Sequence, residues 1–203
     1  FDDYEPENPL LVTGTNNADS IENTLGGATI NALGGDDEII NSGDSVSINA
    51  GDGGDYIGNS GSLVTINGGA GSDYITNLNS QVTIDAGADD DYIYNESSNV
   101  SINGGDGGDD IYNGEYYTDE NGNEVYNPGG SDVTINGGEG IDLIFNYGLR
   151  AKIDGGDDED YIGNEGVDSS LYGGTGNDTL YNEGANVTMD GGAGADSIQN
   201  YGS

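Results

Sequence analysis

Ten aspartates fall in one register along the chain: Asp19, Asp37, Asp55, Asp73, Asp91, Asp109, Asp142, Asp160, Asp178 and Asp196. They are spaced 18 residues apart, except for a step of 33 from Asp109 to Asp142, which is one period plus an insertion of 15. The residues ahead of Asp73, Gly68-Gly69-Ala70-Gly71-Ser72, complete the pattern GGxGxD. Strict copies begin at 68, 104, 137, 173 and 191, and looser ones at 50 (AGDGGD), 86 (AGADDD), 155 (GGDDED) and 32 (ALGGDD). These residue types suit a hard cation. Glycines free the backbone for positive φ and close approach, so that carbonyl oxygens can be turned toward one spot, and the aspartate adds a carboxylate. One turn cannot supply the roughly six to eight oxygens such a cation takes, but two stacked turns can. Stacked at about 4.8 Å, the aspartates would repel one another severely without cations.

Composition narrows the partners. The chain of 203 residues carries 39 acidic and 2 basic side chains, a formal charge of -37, with no His and no Cys. Disulfides and thiol redox chemistry are excluded. Nucleic acid and anionic membrane surfaces are poor partners, because nothing neutralises phosphate, and no apolar run is long enough to span a bilayer. Such a composition ordinarily gives disorder, but disordered acidic segments do not keep isoleucines in phase. The start at Phe1 rather than Met predicts a mature or excised fragment.

The elements that must position the aspartates follow from the period. In VTINGGAGSDYITNLNSQ, residues 64–81, isoleucines 66, 75 and 84 are nine apart, so each unit is two nonapeptides with one short strand each. Strands 73–76 and 82–85 alternate inward and outward residues. A turn after every strand forces the units to stack as parallel coils. The expected fold is all-β, a parallel β-roll or β-solenoid of about ten 18-residue coils, roughly 48 Å long. One inward row holds Ile39, Ile57, Ile75, Ile93, Ile111 and Ile144, and a second holds Ile30, Ile48, Ile66, Ile84 and Ile102 with Val46, Val64, Val82 and Val100 beside it. Residues 1–10 read as an acidic leader and 11–203 as one domain, with a degenerate first coil as cap. Residues 115–129 read as a hairpin insertion turning at Asn121-Gly122, whose Asp119, Glu120, Asn121, Asn123 and Glu124 could hold an extra cation.

Other rows carry weaker signals. Asn23, Asn41, Asn59, Asn77, Asn95, Asn113, Asn146, Asn164, Asn182 and Asn200 read as a hydrogen-bonded ladder inside the second turn. Tyr56, Tyr74, Tyr92 and Tyr161, with Tyr94, Tyr112, Phe145 and Tyr181 beside them, line an outward face that could stack on a glycan or on another copy. On the opposite face a threonine array, of the kind that can bind ice, is interrupted by Lys152 and Tyr172. Enzymatic chemistry needs a positioned acid or base, and the only basic residues, Arg150 and Lys152, sit together in one coil. A carbohydrate-active β-helix is therefore the weakest reading, and no enzyme is expected.

The phased nonapeptides resemble the RTX family, the haemolysin-type calcium-binding repeats of secreted bacterial proteins, over roughly residues 14–202. The resemblance implies a β-roll with Ca²⁺ between successive turns. Carried over by position, the ligands would be Asp37, Asp55, Asp73, Asp91, Asp109, Asp142, Asp160, Asp178 and Asp196. Backbone carbonyls would come from Gly69, Gly71, Gly105, Gly107, Gly138, Gly140, Gly174, Gly176, Gly192 and Gly194. The chain departs from the family in its second nonapeptide, where Val82 and its equivalents occupy the aspartate position, so a calcium row is expected on one edge only. Asp89, Asp158 and Glu159 replace glycines in the turns at 86 and 155, which predicts irregular turns there. The resulting expectation is a secreted or cell-surface structural or adhesive module that binds several Ca²⁺ ions. A module that docks a glycan or another surface protein on its tyrosine face is the alternative.

Overall fold

A computed structural model describes residues 10–118 and 124–203 of the chain. No helix occurs among them. Two ten-stranded parallel sheets are built from alternate strands of the chain, so that each coil contributes one strand to each sheet. Strands such as Thr65–Ala70 and Thr83–Ala88 form one sheet, here the Thr/Asn sheet. Strands such as Tyr74–Asn77 and Tyr92–Asn95 form the other, the Tyr sheet. Both sheets keep the 18-residue register: Ile66 pairs with Ile84, and Ile75 with Ile93. The register holds because a slip of one residue would turn every isoleucine to solvent.

The two isoleucine rows meet between the sheets as a single apolar core, flanked by Val46, Val64, Val82, Val100 and Val133. The first coil joins the stack in register, pairing Val12 with Ile30 and Ile21 with Ile39.

The strand of the Thr/Asn sheet is longer than the spacing suggests. It runs through the first three residues of the motif, and Gly69 pairs with both Gly51 and Gly87. The alternation of inward and outward residues ends at Gly68–Gly69, since Ala70 is exposed, but the pairing with both neighbouring coils continues through Ala70. The turns carrying Asp89 and Asp158 are not irregular. Both residues adopt a left-handed conformation, φ 76° in each case, and their coils keep the common strand lengths. Aspartate reaches this region at modest cost. Opposite the motif, the residue before each valine is also left-handed, including Leu63 (φ 59°) and Gln81 (φ 62°).

The insertion forms a separate antiparallel pair, Glu115–Thr118 with Glu124–Asn127. It leaves and re-enters at one point, where Gly114 and Gly129 lie against each other's backbone. Residues 119–123, and with them the extra cation site expected at the hairpin tip, lie outside the described residues.

Candidate cation row

The motif aspartates point inward. Asp37, Asp55, Asp73, Asp91, Asp109, Asp142, Asp160 and Asp178 are all buried, at 1–3% exposure. Each Oδ1 accepts the backbone N–H of the aspartate one coil earlier. Asp55 N–H donates to Asp73 (2.8 Å) and Asp73 N–H to Asp91 (2.7 Å). The ladder crosses the insertion unbroken, from Asp109 N–H to Asp142 (2.8 Å). In all eight, Oδ2 is buried with no hydrogen-bond partner.

What lies beside that orphaned oxygen is informative. A β-carbon on Gly68 would collide with both Asp73 Oδ2 and the carbonyl oxygen of Ala86 in the next coil. The same pairing recurs at Gly104 (Asp109 Oδ2, Gly137 O), Gly137 (Asp142 Oδ2, Gly155 O), Gly155 (Asp160 Oδ2, Gly173 O) and Gly173 (Asp178 Oδ2, Gly191 O). Two acceptors from adjacent coils therefore border one small space with no donor between them. The coils of Asp37, Asp55 and Asp91 carry Ala32, Ala50 and Ala86 at that motif position, so a methyl group projects there instead.

The carbonyls of the second and fourth motif residues run along the axis. That of Gly51 abuts the α-carbon side of Gly69, those of Gly69 and Gly87 face Gly87 and Gly105, and those of Gly107 and Gly138 face Gly140 and Gly156. Glycine is required at Gly69 both by its φ of 124° and by this approach. The expected carbonyl donors thus lie in the turn beside the aspartates, but the carbonyl that shares the orphaned oxygen's space belongs to the first motif residue. Sequence reasoning passed over that position, because Ala or Gly there carries no chemical signal of its own.

Burial raises the carboxyl pKa values, to about 6 in Asp55 and Asp109, about 7 in Asp73, Asp142 and Asp160, and about 8 in Asp91. Desolvation is the main cause, the accepted backbone N–H opposes it, and neighbouring carboxylates add to it. The end members differ. Asp19 is only partly buried, and its Oδ2 already accepts from Thr15 N–H (2.6 Å) and Thr15 Oγ1 (3.0 Å). Asp196 is partly exposed, with its Oδ1 accepting from Asp178 N–H at 3.1 Å. No group of three or more acidic, His or Cys side chains converges among the described residues, so a cation here would rest on one carboxylate per coil and on backbone oxygens.

The opposite edge is saturated. Asn77 Nδ2 donates to Asn79 O and to Asn95 Oδ1, both at 2.8 Å, while its Oδ1 accepts from Asn79 N–H and Asn59 Nδ2. The ladder runs from Asn23 to Asn200 and crosses the insertion between Asn113 and Asn146 at 2.7 Å. From Asn23 to Asn182 both amide atoms are used, and from Ala28 onward Val, Ala or Ser fills the position an aspartate would need.

On the Tyr sheet the rings stack along the axis. Tyr56, Tyr74 and Tyr92 lie 5.5 and 4.7 Å apart and within 8° of parallel. The file continues through Tyr112, Phe145 and Tyr161 at 5.3–5.6 Å. No protein-family model matches this chain, and comparison with curated proteins gives no match.

Proposed function

We propose that this chain is a calcium-binding repeat module, stiffened by ions held along its motif edge and serving as a structural or adhesive element outside the cell. One observation carries the reading: eight buried Asp Oδ2 atoms without a partner, five of them sharing their space with a carbonyl of the next coil. A buried carboxylate oxygen with no donor requires a proton or a cation. Oxygen-only donors with flexible glycine geometry suit Ca²⁺ better than Mg²⁺, which demands a stricter octahedron. When bound, the ion supplies positive charge between coils. Asp73, Asp109, Asp142, Asp160 and Asp178 would hold it, with the carbonyls of Ala86, Gly137, Gly155, Gly173 and Gly191. The saturated Asn edge supports a single row. The resemblance to haemolysin-type repeats and the charge of -37 point the same way, and extracellular calcium is the abundant source for a module of this kind.

The tyrosine file favours a structural role for that face over glycan docking. Its ring faces are turned to one another, which leaves edges and hydroxyls rather than open platforms.

The test is thermal melting in excess chelator against millimolar calcium. Calcium is expected to raise Tm by well over about 10 °C, because ligands that bind only the folded state stabilise it by mass action. An unchanged Tm would overturn the calcium reading and leave protonated aspartates as the neutralising device.

A further inference from the structure

From its second coil to its seventh, the outer face of the Thr/Asn sheet is regular. One outward row is Ser or Thr, and the next is mainly Asn, hydrogen-bonded between some of the coils: Asn49 Nδ2 to Asn31, Asn103 to Asp85, Asn136 to Asn103. The amide ladder stops at Asn136. Beyond it the strand register places Asp154 beside Asn136, Tyr172 beside Asp154, and Asp190 beside Tyr172. In the neighbouring row Lys152, the only lysine of the chain, stands between Thr134 and Ser170. The departures from the repeat are thus concentrated in one patch.

The chemistry of that patch is unsatisfied. Tyr172 is 41% exposed, and unlike the file of tyrosines on the other sheet it has no ring neighbour among the described residues. Lys152 forms no ion pair and Asp154 no hydrogen bond among the described residues, although both line the same hollow. Two shallow hollows, of about 460 and 520 Å³, meet at Tyr172. Each is in the size range of small-ligand sites, about 300–1,000 Å³.

We propose that this patch is a binding site for a neutral pyranose oligosaccharide lying across the rod, along the strand direction in which the two hollows flank Tyr172. A pyranose offers an apolar C–H face, which matches the exposed ring of Tyr172, and a rim of hydroxyls that both donate and accept. Asp154 and Asp190 receive hydroxyl donors on either side of the ring, and Lys152 donates to a hydroxyl or ring oxygen. The two hollows give room for a sugar unit on each side of the one stacked on Tyr172. The ligand is neutral because the carboxylates flanking the ring, and a chain of charge -37, oppose an anionic sugar at this point.

The test uses the whole chain in calcium-containing buffer. Cellohexaose, maltohexaose and mannohexaose are titrated by calorimetry and by amide chemical-shift mapping, with an oligogalacturonate of equal length as the charged comparison. At least one neutral hexasaccharide is expected to bind with Kd of about 1 mM or tighter and to shift resonances around Tyr172. Tyr172→Asn restores the residue that the ladder carries in earlier coils, so the fold, checked by circular dichroism, should survive while affinity falls about tenfold or more. Tyr74→Ala, on the opposite sheet, should leave affinity unchanged. The proposal is overturned if no neutral sugar binds at about 10 mM, if oligogalacturonate binds best, if Tyr172→Asn keeps full affinity, or if Tyr74→Ala removes binding.

Discussion

At the scale of single residues, the motif aspartate does two jobs with its two oxygens. Oδ1 closes a backbone link to the coil before it, and Oδ2 faces a carbonyl with nothing between. The consequence for pH has a definite sign. The folded-state pKa values of about 6 to 8 at Asp55, Asp73, Asp91, Asp109, Asp142 and Asp160 lie above the ordinary aspartate value of 3.8. The folded chain then holds protons that the unfolded chain has released. This stabilisation is full below about pH 4 and is lost as pH rises through about 6 to 8. Metal-free protein should therefore melt at a higher temperature at about pH 5 than at about pH 8. Calcium should oppose that trend and release protons on binding near neutrality, visible as a dependence of calorimetric heat on buffer ionisation enthalpy. Asp109→Asn separates the two jobs. It keeps the acceptor for Asp91 N–H and removes the charge, so the metal-free protein should gain stability at about pH 8 while the calcium response shrinks. On the other edge Asn77→Ala removes four hydrogen bonds and strands the amide of Asn59. It should cost about 2–4 kcal/mol in chemical denaturation, with or without calcium.

At the scale of the coil, the glycines differ in how replaceable they are. Gly69 sits at φ 124° with the Gly51 carbonyl against it, so Gly69→Ala has no relaxed conformation and should lose well over about 1 kcal/mol. Gly71→Asn should cost less than Gly69→Ala, since its turn can shift from φ 108° and away from the Gly53 carbonyl toward the left-handed conformation that Asp89 and Asp158 hold at the equivalent position. Denaturation midpoints of the two variants test the order. Much of the coil could be read beforehand. Isoleucines nine apart gave the strands and their faces, the recurring Asn gave the second turn, and Asn121-Gly122 between alternating Tyr and Val gave the insertion its hairpin. What escaped has physical causes. The strand continues into the motif because coils on both sides hold Gly69 and Ala70 in register with their equivalents, which overrides glycine's weak strand preference. The left-handed residues before each valine include Leu63 and Gln81, which have no preference for that region and are held there by the stack on both sides. The burial of the aspartates was hidden because a ligand and an inward-facing ladder member leave the same trace in sequence.

At the scale of the whole molecule, each coil touches only its neighbours, so stability approximates a sum of coil and interface contributions. Position along the rod should then set the effect of a substitution. Asp178→Ala leaves the buried Asp160 N–H without its acceptor and removes one of the open cradles. Asp19→Ala removes a partly exposed carboxylate satisfied within its own coil. The calcium-dependent gain in Tm should fall markedly in the first variant and barely in the second, and equal losses would mean that the row is not a graded series of sites. Deleting residues 115–129 returns that coil to 18 residues, and because both ladders already cross the insertion intact, Tm should move by no more than about 4 °C. The two side-chain ladders also run one way. Backbone links go in both directions, from Thr83 N–H back to Val64 and from Gly71 N–H forward to Ala88. Between coils, the Asp amides and the side chains of the buried Asn row donate only forward, to the coil that follows. Each Asp N–H is consequently shielded from solvent deuterium by its successor rather than by its own coil. When the rod unravels from its C-terminal side, the amide of Asp160 begins to exchange as the coil of Asp178 leaves, while its own coil is still folded. The row of Asp amides is a built-in odometer, each reading the state of the next coil along.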